Sequence, residues 1–183
     1  MTETNVESVD LPRAVEEFVL RWGDLGGQWG VNRSVAQIHA LLYLSPQPLT
    51  AEEIADTLSI ARSNVSTSLK ELQSWRLAHV THVMGDRRDH FEVRKDVWEM
   101  VTTIVEERKK REVDPTLTVL RQCVLEASED RKTPAEVRER IEGMLEFLEL
   151  ASNWHNELKQ MPRPIVVKLM KLGGKIAKFI GGS

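Results

Sequence analysis

Apolar residues between positions 49 and 93 recur at helical spacing twice in succession. Ile54 and Leu58 are four residues apart, which predicts one apolar face of a short helix. A second helix is predicted over about residues 61–75, where apolar residues follow at intervals of four and three: Val65, Leu69 and Leu72. Only Ser59-Ile60 separates the two patterns. The spacing therefore predicts two short helices joined by a tight turn.

Two strand-like runs follow the second helix. They cover about residues 78–83 and 91–93, and the charged turn Gly85-Asp86-Arg87-Arg88-Asp89 separates them. Upstream, Thr50 and Glu53 have the spacing of a capping box, in which each side chain satisfies a backbone N–H at a helix start. Helix, tight turn, helix and hairpin in this order predict a winged helix-turn-helix, an arrangement that binds DNA.

The face of the second helix opposite its apolar residues favours nucleic acid as the target. Ser and Thr are poor helix formers, so a helix that only faces solvent usually carries Glu, Lys, Gln or Arg instead. Short polar side chains allow a helix to lie deep in a major groove and to contact base edges and phosphates. A serine-rich surface helix held only by packing is the alternative. The residues on this face are Ser63, Ser66, Thr67, Lys70 and Ser74.

Two further helices are predicted before this segment. An apolar stripe indicates the first from about residue 11 to residue 29, and the second covers about residues 32–45, ahead of two prolines. Glycines in and after the first helix could suggest a phosphate-binding loop, but no strand precedes them and no Lys-Ser/Thr follows. We expect close helix packing instead, with a turn at Gly30. The glycines are Gly23, Gly26, Gly27 and Gly30.

From residue 96 onward the pattern predicts long helices. Asp114-Pro115 resembles a helix cap followed by a first-turn proline, so we expect a break or kink there and a restart. Thr133-Pro134-Ala135-Glu136 has the spacing of a second capping box, ahead of a helix that continues to Met161. The apolar stripes of these helices must be buried against another surface. A second copy of the chain in a symmetric pair supplies such a surface most simply, and packing within one chain is the alternative.

The predicted fold class is therefore mainly α with a small β-hairpin wing: a winged helix-turn-helix followed by long C-terminal dimerisation helices. We expect a disordered N-terminus over residues 1–10 and a DNA-binding domain over residues 11–95. A helical dimerisation region is predicted over 96–161, and a basic amphipathic tail over 162–183. The tail carries five cations and no acid, and three roles are open to it: contact with DNA, contact with a membrane surface, or packing on the dimer.

Composition changes this prediction only slightly. A formal net charge of −3 over 183 residues counts mildly against nucleic-acid binding, whose footprint is usually positive. Cations and anions over residues 50–95 cancel in number, but we expect Arg62, Lys70, Arg87 and Arg88 to gather on one side. A single cysteine, Cys123, excludes a disulfide within the chain. No secretory segment or membrane span is recognisable, so we expect a cytoplasmic protein without a membrane partner.

Residues 18–115 resemble the MarR-type winged-helix regulators, and more narrowly their GbsR-like subgroup. The resemblance depends most on Trp29-Gly30, Pro48-Leu49-Thr50, the Asn64-Val65-Ser66 run and the charged turn at 85–89. It implies a homodimeric repressor or activator whose second helix enters the major groove while the wing arginines reach the minor groove. One departure is Trp75-Arg76-Leu77, where a glycine usually helps the chain leave this helix.

Together these arguments predict a homodimeric regulator, more often a repressor in such proteins, that binds double-stranded DNA. The resemblance also implies a small-molecule effector of the quaternary ammonium type, such as choline, for which Trp22, Trp29 and Trp98 could supply aromatic faces. Core packing explains the same tryptophans, so no ligand residues are assigned. The DNA-binding candidates are Arg62, Ser63, Asn64, Ser66, Thr67, Lys70, Arg87 and Arg88.

An enzyme is the less favoured prediction, because no converging catalytic site can be built. His79 and His82 are three apart in a predicted strand and would point to opposite faces, so they would not share a metal. His90, near two aspartates, is interpreted as part of a solvated wing turn. We expect no catalytic residue, metal or cofactor. The alternative function is a winged-helix module that binds another protein and not DNA.

Overall fold

The computed structural model describes residues 11–130 and 132–180, with side chains as far as residue 173. The expected disorder of residues 1–10 lies outside this part of the chain. Within it the elements are, in order, α1 (Arg13–Gln28), α2 (Arg33–Leu44), β1 (Leu49–Thr50), α3 (Ala51–Leu58), α4 (Arg62–Ser74), β2 (Ala78–Thr81), β3 (His90–Val93), α5 (Val97–Arg108), a π-helical segment (Lys109–Val113), α6 (Asp114–Glu129), α7 (Ala135–Gln160) and α8 (Arg163–Ile180).

Helices α1 and α2 pack closely through small residues, as the glycine pattern predicted. A Cβ atom added at Gly26 would lie 2.5 Å from the Cβ of Ala36, and one added at Gly23 would lie 2.6 Å from Cγ of Gln37. Only glycine fits at this separation. Gly30 then turns the chain with a φ of +75°. One buried core contains apolar residues of α2, of α4 and of the strands.

The winged helix-turn-helix has the predicted order, with a correction to its sheet. Among the described residues the sheet has three strands in the order β1-β3-β2, and not only a hairpin. The extra strand pairs Leu49 with Phe91 and Thr50 with His90 in an antiparallel register. Two residues are too few to show an alternating pattern, so this strand has no periodic signal in the sequence.

The capping box at the start of α3 is confirmed. The backbone N–H of Glu53 donates to Oγ1 of Thr50 (3.2 Å), and the backbone N–H of Thr50 donates to Oε2 of Glu53 (2.7 Å). These hydrogen bonds hold the Glu53 carboxylate in its charged form. The bond from the Thr50 backbone N–H to the carboxylate is the largest cause of a lowered pKa for Glu53, to which the charges of Arg88 and His90 also contribute.

The chain divides into two compact units, with the boundary after Glu107. Of the expected break or kink at Asp114-Pro115, the break is wrong, because helical backbone continues from α5 through the π-helical segment into α6, while the kink stays a prediction. A wider turn ahead of a proline relieves the clash between its ring and the preceding carbonyl, so the helix need not stop. Lys109 Nζ donates to Oδ1 of Asp114 across this turn (2.6 Å).

The second predicted capping box is also wrong. The residue that precedes the first turn of α7 is Pro134, whose backbone is extended, and no side chain of the described residues caps the helix. Thr133 Oγ1 instead donates to Oδ2 of Asp130 (3.3 Å), and Glu136 pairs with Arg140. The helix therefore begins one residue later than the capping-box spacing requires. Over residues 11–130 and 132–180, no helix combines the length and apolar character that a bilayer crossing requires.

Candidate nucleic-acid interface

Helix α4 is oriented as the hydrophobic spacing predicted. Val65, Leu69 and Leu72 are buried in the core, together with the hydroxyl of Ser68. The opposite face is open to solvent and carries the predicted polar residues: Ser63, Ser66, Thr67, Lys70 and Ser74. Its only apolar components are methyl and methylene groups. This face could approach base edges without a large side chain in between.

Three side chains on this face keep donors that the protein itself does not use. In the part of the chain that the structure describes, Ser63, Ser66 and Lys70 make no side-chain hydrogen bond or ion pair. Thr67 Oγ1 donates back to the carbonyl of Ser63 (3.0 Å), which leaves its oxygen able to accept. The middle of α4 therefore presents hydroxyl groups and one ammonium group to an external partner.

The structure gives two other predicted contact residues internal partners. Arg62 forms an ion pair with Glu52 of α3. Asn64 is half-buried: its Nδ2 donates to Oγ of Ser34 on α2 (2.9 Å), and its Oδ1 accepts from Oγ of Ser68 (3.3 Å). Asn64 thus joins α4 to the start of α2. Glu52 and Ser34 lie ten and thirty residues from their partners, so no local spacing in the sequence signals these two contacts.

The two wing arginines differ in their surroundings. The Asp86 carboxylate accepts from the backbone N–H and from Nε of Arg88 (2.9 and 3.0 Å) and also from its Nη2. The guanidinium of Arg88 holds the pKa of Asp86 well below its usual range, and Asp86 raises the pKa of Arg88. Arg87 is exposed and, within the described residues, has no ion pair. Asp86 was not predicted as a site residue, although its position two before Arg88 is typical of an Asx turn.

His90 corrects the interpretation of the wing turn as fully solvated. It is buried, its Nδ1 lies 3.0 Å from the carbonyl oxygen of Arg88, and its Nε2 lies 3.6 Å from Oδ2 of Asp86. It also pairs with Thr50 of β1 across the sheet. The base of the wing is therefore fixed to the start of α3, while its tip turns at Gly85 with a φ of +88°.

The first turn of α2, whose backbone N–H groups could in principle bind a phosphate, is already capped. Asn32 Oδ1 accepts from the backbone N–H of Ser34 (2.9 Å), and Arg33 pairs with Asp24 of α1 (3.2 Å). Both interactions occupy groups that a phosphate would use. The exposed face of α4 and the wing, in contrast, keep unused donors.

No effector or metal site stands out in the described part of the chain. Trp22 stacks between Phe18 and His39 (ring centroids 5.7 and 6.3 Å apart), so it has a packing role, while Trp29 is 59% exposed. An open groove beside α1 is lined by charges of both signs and has no aromatic residue in its lining. Among residues 11–130 and 132–180, no three His, Cys, Asp or Glu side chains converge as metal ligands would.

Comparison with known proteins agrees with this geometry. The model of the MarR family matches residues 29–89, which run from the end of α1 to the wing. The chain is also 24% identical over 161 residues to the HTH-type transcriptional repressor GbsR of Bacillus subtilis, covering 83% of this chain and 82% of GbsR. Residues 29–89 therefore match the MarR family, and most of the chain is similar to a transcriptional regulator of this type. The resemblance of the chain to the GbsR-like subgroup is confirmed.

Two further proteins are similar to this chain. YvaV of Bacillus subtilis, itself only provisionally assigned as an HTH-type transcriptional regulator, is 20% identical to this chain over 154 residues, 82% of this chain and 86% of YvaV. A crystal structure of a transcriptional regulator superposes with a TM-score of 0.64 at 20% identity, covering 79% of this chain and 94% of the other. At this identity the superposition establishes the fold alone.

Proposed function

We propose that this chain is a MarR-type regulator, a cytoplasmic homodimer that binds a roughly palindromic duplex site and represses transcription from it. The observation that carries the proposal is the exposed face of α4, where the Ser63 and Ser66 hydroxyl groups and the Lys70 ammonium have no internal partner among the described residues. Two copies of α4 would enter major-groove faces about 34 Å apart. Arg87 and Arg88 would reach the adjacent minor groove.

The proposed contacts divide into two groups. Ser63, Ser66 and Thr67 are assigned to base edges and nearby phosphates, and Lys70 to a phosphate. Arg62 and Asn64 already have internal partners, so we assign them a supporting contribution through the position of α4. Arg88 keeps donors beyond those that Asp86 accepts, and the carboxylate fixes the direction in which the guanidinium points.

Exposed apolar residues in the second unit support the homodimer. Phe147 is 64% exposed and Leu150 is 69% exposed on α7, and Met144 and Trp154 are exposed at helical spacing on either side. Exposed apolar stripes of this kind mark interaction surfaces. A twofold pairing of chains would cover them and would place two winged domains on one duplex.

Selection of bound fragments from random duplex DNA tests the proposal directly. We expect the full-length protein to enrich one inverted-repeat sequence. The double variant Arg87→Ala/Arg88→Ala should bind it more weakly and reduce the slope of log affinity against log salt by about 1 to 2. Arg140→Ala removes an exposed arginine from α7 and serves as the control, with the slope unchanged. An unaltered slope in the double variant would remove the wing from the mechanism.

The same assay tests the effector and the rival function. Choline is the first probe for the proposed quaternary ammonium effector, and it should shift the affinity for the selected duplex. The rival, a module that binds proteins and not DNA, gains from the pairing of Arg62 with Glu52 and of Arg88 with Asp86, which lowers the free positive charge. Failure to enrich any sequence would favour that rival.

A further inference from the structure

Helix α4 ends in a backbone conformation that its sequence does not favour. Arg76 follows the helix with a φ of +58°, in the left-handed region where glycine is the usual residue. The turn itself is well formed: the backbone N–H of Leu77 donates to the carbonyl of Leu72 (2.9 Å), and that of Arg76 donates to Gln73 (2.9 Å). A glycine would make the same turn without strain, so the arginine side chain needs an explanation of its own.

A buried carboxylate lies next to this arginine. Glu107, in the last turn of α5, is 4% exposed, although glutamate is rarely buried without a partner. Its Oε1 is 3.8 Å from Nη1 of Arg76. The ion pair joins the end of α4 to the end of α5, two helices of the same compact unit. A strained residue and a buried charge therefore meet at one point.

We propose that Arg76 and Glu107 are positioning residues for DNA binding, which together fix the C-terminal end of α4 against α5. The inference rests on the proposed function, because a fixed helix end matters only if the exposed face of α4 contacts DNA. Base contacts need Ser63 and Ser66 at a defined depth in the groove, whereas phosphate contacts tolerate small shifts. Loss of the ion pair should therefore reduce selectivity more than general affinity.

The competing explanation is that Arg76 itself contacts a phosphate, since its side chain is 70% exposed. The two explanations predict opposite effects for Glu107→Gln. If Glu107 competed with a phosphate for Arg76, the neutral variant would bind DNA more tightly. If the pair positions α4, the neutral variant binds the selected duplex more weakly. The glutamine has the size of glutamate and can still form hydrogen bonds, so packing changes little.

The experiment uses the full chain and the duplex that the wild-type protein selects, with a shuffled duplex of equal length for comparison. Dissociation constants are measured by fluorescence anisotropy at several salt concentrations, for Arg76→Gly, Glu107→Gln and the double variant. Ser59→Gly is the matched control, because Ser59 is the other non-glycine residue with positive φ among the described residues (φ +52°) and it forms no ion pair there. Thermal unfolding of each variant confirms that it is folded at the assay temperature.

We expect each single variant to bind the selected duplex about fivefold more weakly, with little change for the shuffled duplex and an unchanged salt slope. The double variant should be no weaker than the weaker single variant. Ser59→Gly should bind as the wild type does. If Arg76→Gly fails to fold, Glu107→Gln alone decides the outcome.

Three results would overturn the inference. Folded variants that bind within twofold of the wild type would remove the positioning role. Tighter binding by Glu107→Gln, or a salt slope lowered by about 1 in Arg76→Gly, would make Arg76 a phosphate contact. If the wild-type protein selects no duplex at all, the proposed function fails and this inference fails with it.

Discussion

At the scale of single residues, His39 shows how the core constrains a titratable group. It lies buried on α2 against Trp22, and burial lowers the pKa of His39 to about 4, with the positive charge of Lys95 as a second cause. Lys95 is fixed nearby because its ammonium donates to carbonyls at the end of α2, including those of Tyr43 (3.1 Å) and Ser45 (2.7 Å). His39 is therefore neutral in the folded protein at neutral pH.

The burial of His39 predicts that the folded protein loses stability in mild acid. The unfolded chain protonates His39 near its ordinary pKa of 6.5, whereas the folded chain does not until about pH 4, so the unfolded state binds more protons in between. Stability should be full above pH 6.5 and should fall by about 2 kcal/mol between pH 7 and pH 5. Urea unfolding at several pH values measures this change in the free energy of unfolding.

The matched variants for this prediction are His39→Leu and His82→Gln. The leucine cannot be protonated, so the pH dependence between 7 and 5 should become shallower, while the exposed His82 can be replaced without this effect. Glu53 and Asp86 also have lowered pKa values, but they lose their stabilising charge only below their ordinary values of 4.5 and 3.8. An equally steep fall in His39→Leu would contradict the assignment.

Residues with local signals were predictable, and residues with distant partners were not. The capping pair Thr50 and Glu53 is three residues apart, and its hydrogen bonds follow from that spacing. The contact between Asn64 and Ser34 spans thirty residues, and the burial of His90 depends on the pairing of β3 with β1. The internal contact of Asn64 and the burial of His90 both differ from the predicted site, because packing brings separate elements together.

At the scale of elements, the wing is a hairpin whose tip is held by one carboxylate. Asp86 accepts from the backbone and from the guanidinium of Arg88, so it fixes both the turn and the arginine. We predict that Asp86→Ala binds the selected duplex more weakly but the shuffled duplex more tightly. The first effect comes from a looser wing, and the second from a guanidinium that no longer has an internal counter-charge.

Asp86→Asn separates these two effects. The asparagine keeps an oxygen that can accept from the backbone N–H of Arg88, but it loses the ion pair. It should therefore gain affinity for the shuffled duplex, as Asp86→Ala does, and keep more of the affinity for the selected one. Anisotropy titrations with both duplexes measure the difference. Equal selectivity in the wild type and both variants would show that the wing does not depend on Asp86.

Elements with strong periodic patterns were predicted to within a few residues at their ends, and the misses have physical causes. Helix α4 was expected over residues 61–75 and runs Arg62–Ser74. Strand β1 was missed because two residues have no period. At Thr133 the extended backbone of Pro134 moved the helix start, and at Pro115 a π-helical turn replaced the expected break. The sequence predicted a disturbance at Pro115 but not at Pro134, and the kind of disturbance that a proline causes depends on the surrounding helix.

At the scale of the whole molecule, the two compact units have different surfaces. The first unit packs around one buried core, although it also exposes some large apolar side chains, among them Trp29 and Met84. The second exposes large apolar side chains along α7, where Phe147 and Leu150 are mostly exposed. A soluble chain rarely leaves such a stripe open to water, because each side chain that is buried in a partner removes apolar surface from solvent. The proposed homodimer would cover it.

The variant Phe147→Glu/Leu150→Glu tests this interface. Two charges on the stripe should prevent its burial, because an unpaired carboxylate is costly to remove from water. Sedimentation velocity should then show a species near the 20.9 kDa of one chain in place of a dimer. Asn156→Glu adds a charge at an exposed position on the other side of α7 and should leave the assembly unchanged.

Loss of the dimer should also weaken DNA binding, which connects assembly to the proposed function. A dimer binds its second half-site as an intramolecular step, at a high effective concentration, whereas separate chains must bind each half-site independently. The Phe147→Glu/Leu150→Glu variant should therefore bind a single half-site about as well as the wild type does, and the full palindrome at least tenfold more weakly. A variant that stays dimeric, or a monomer with full affinity for the palindrome, would show that α7 is not the surface that pairs two winged domains.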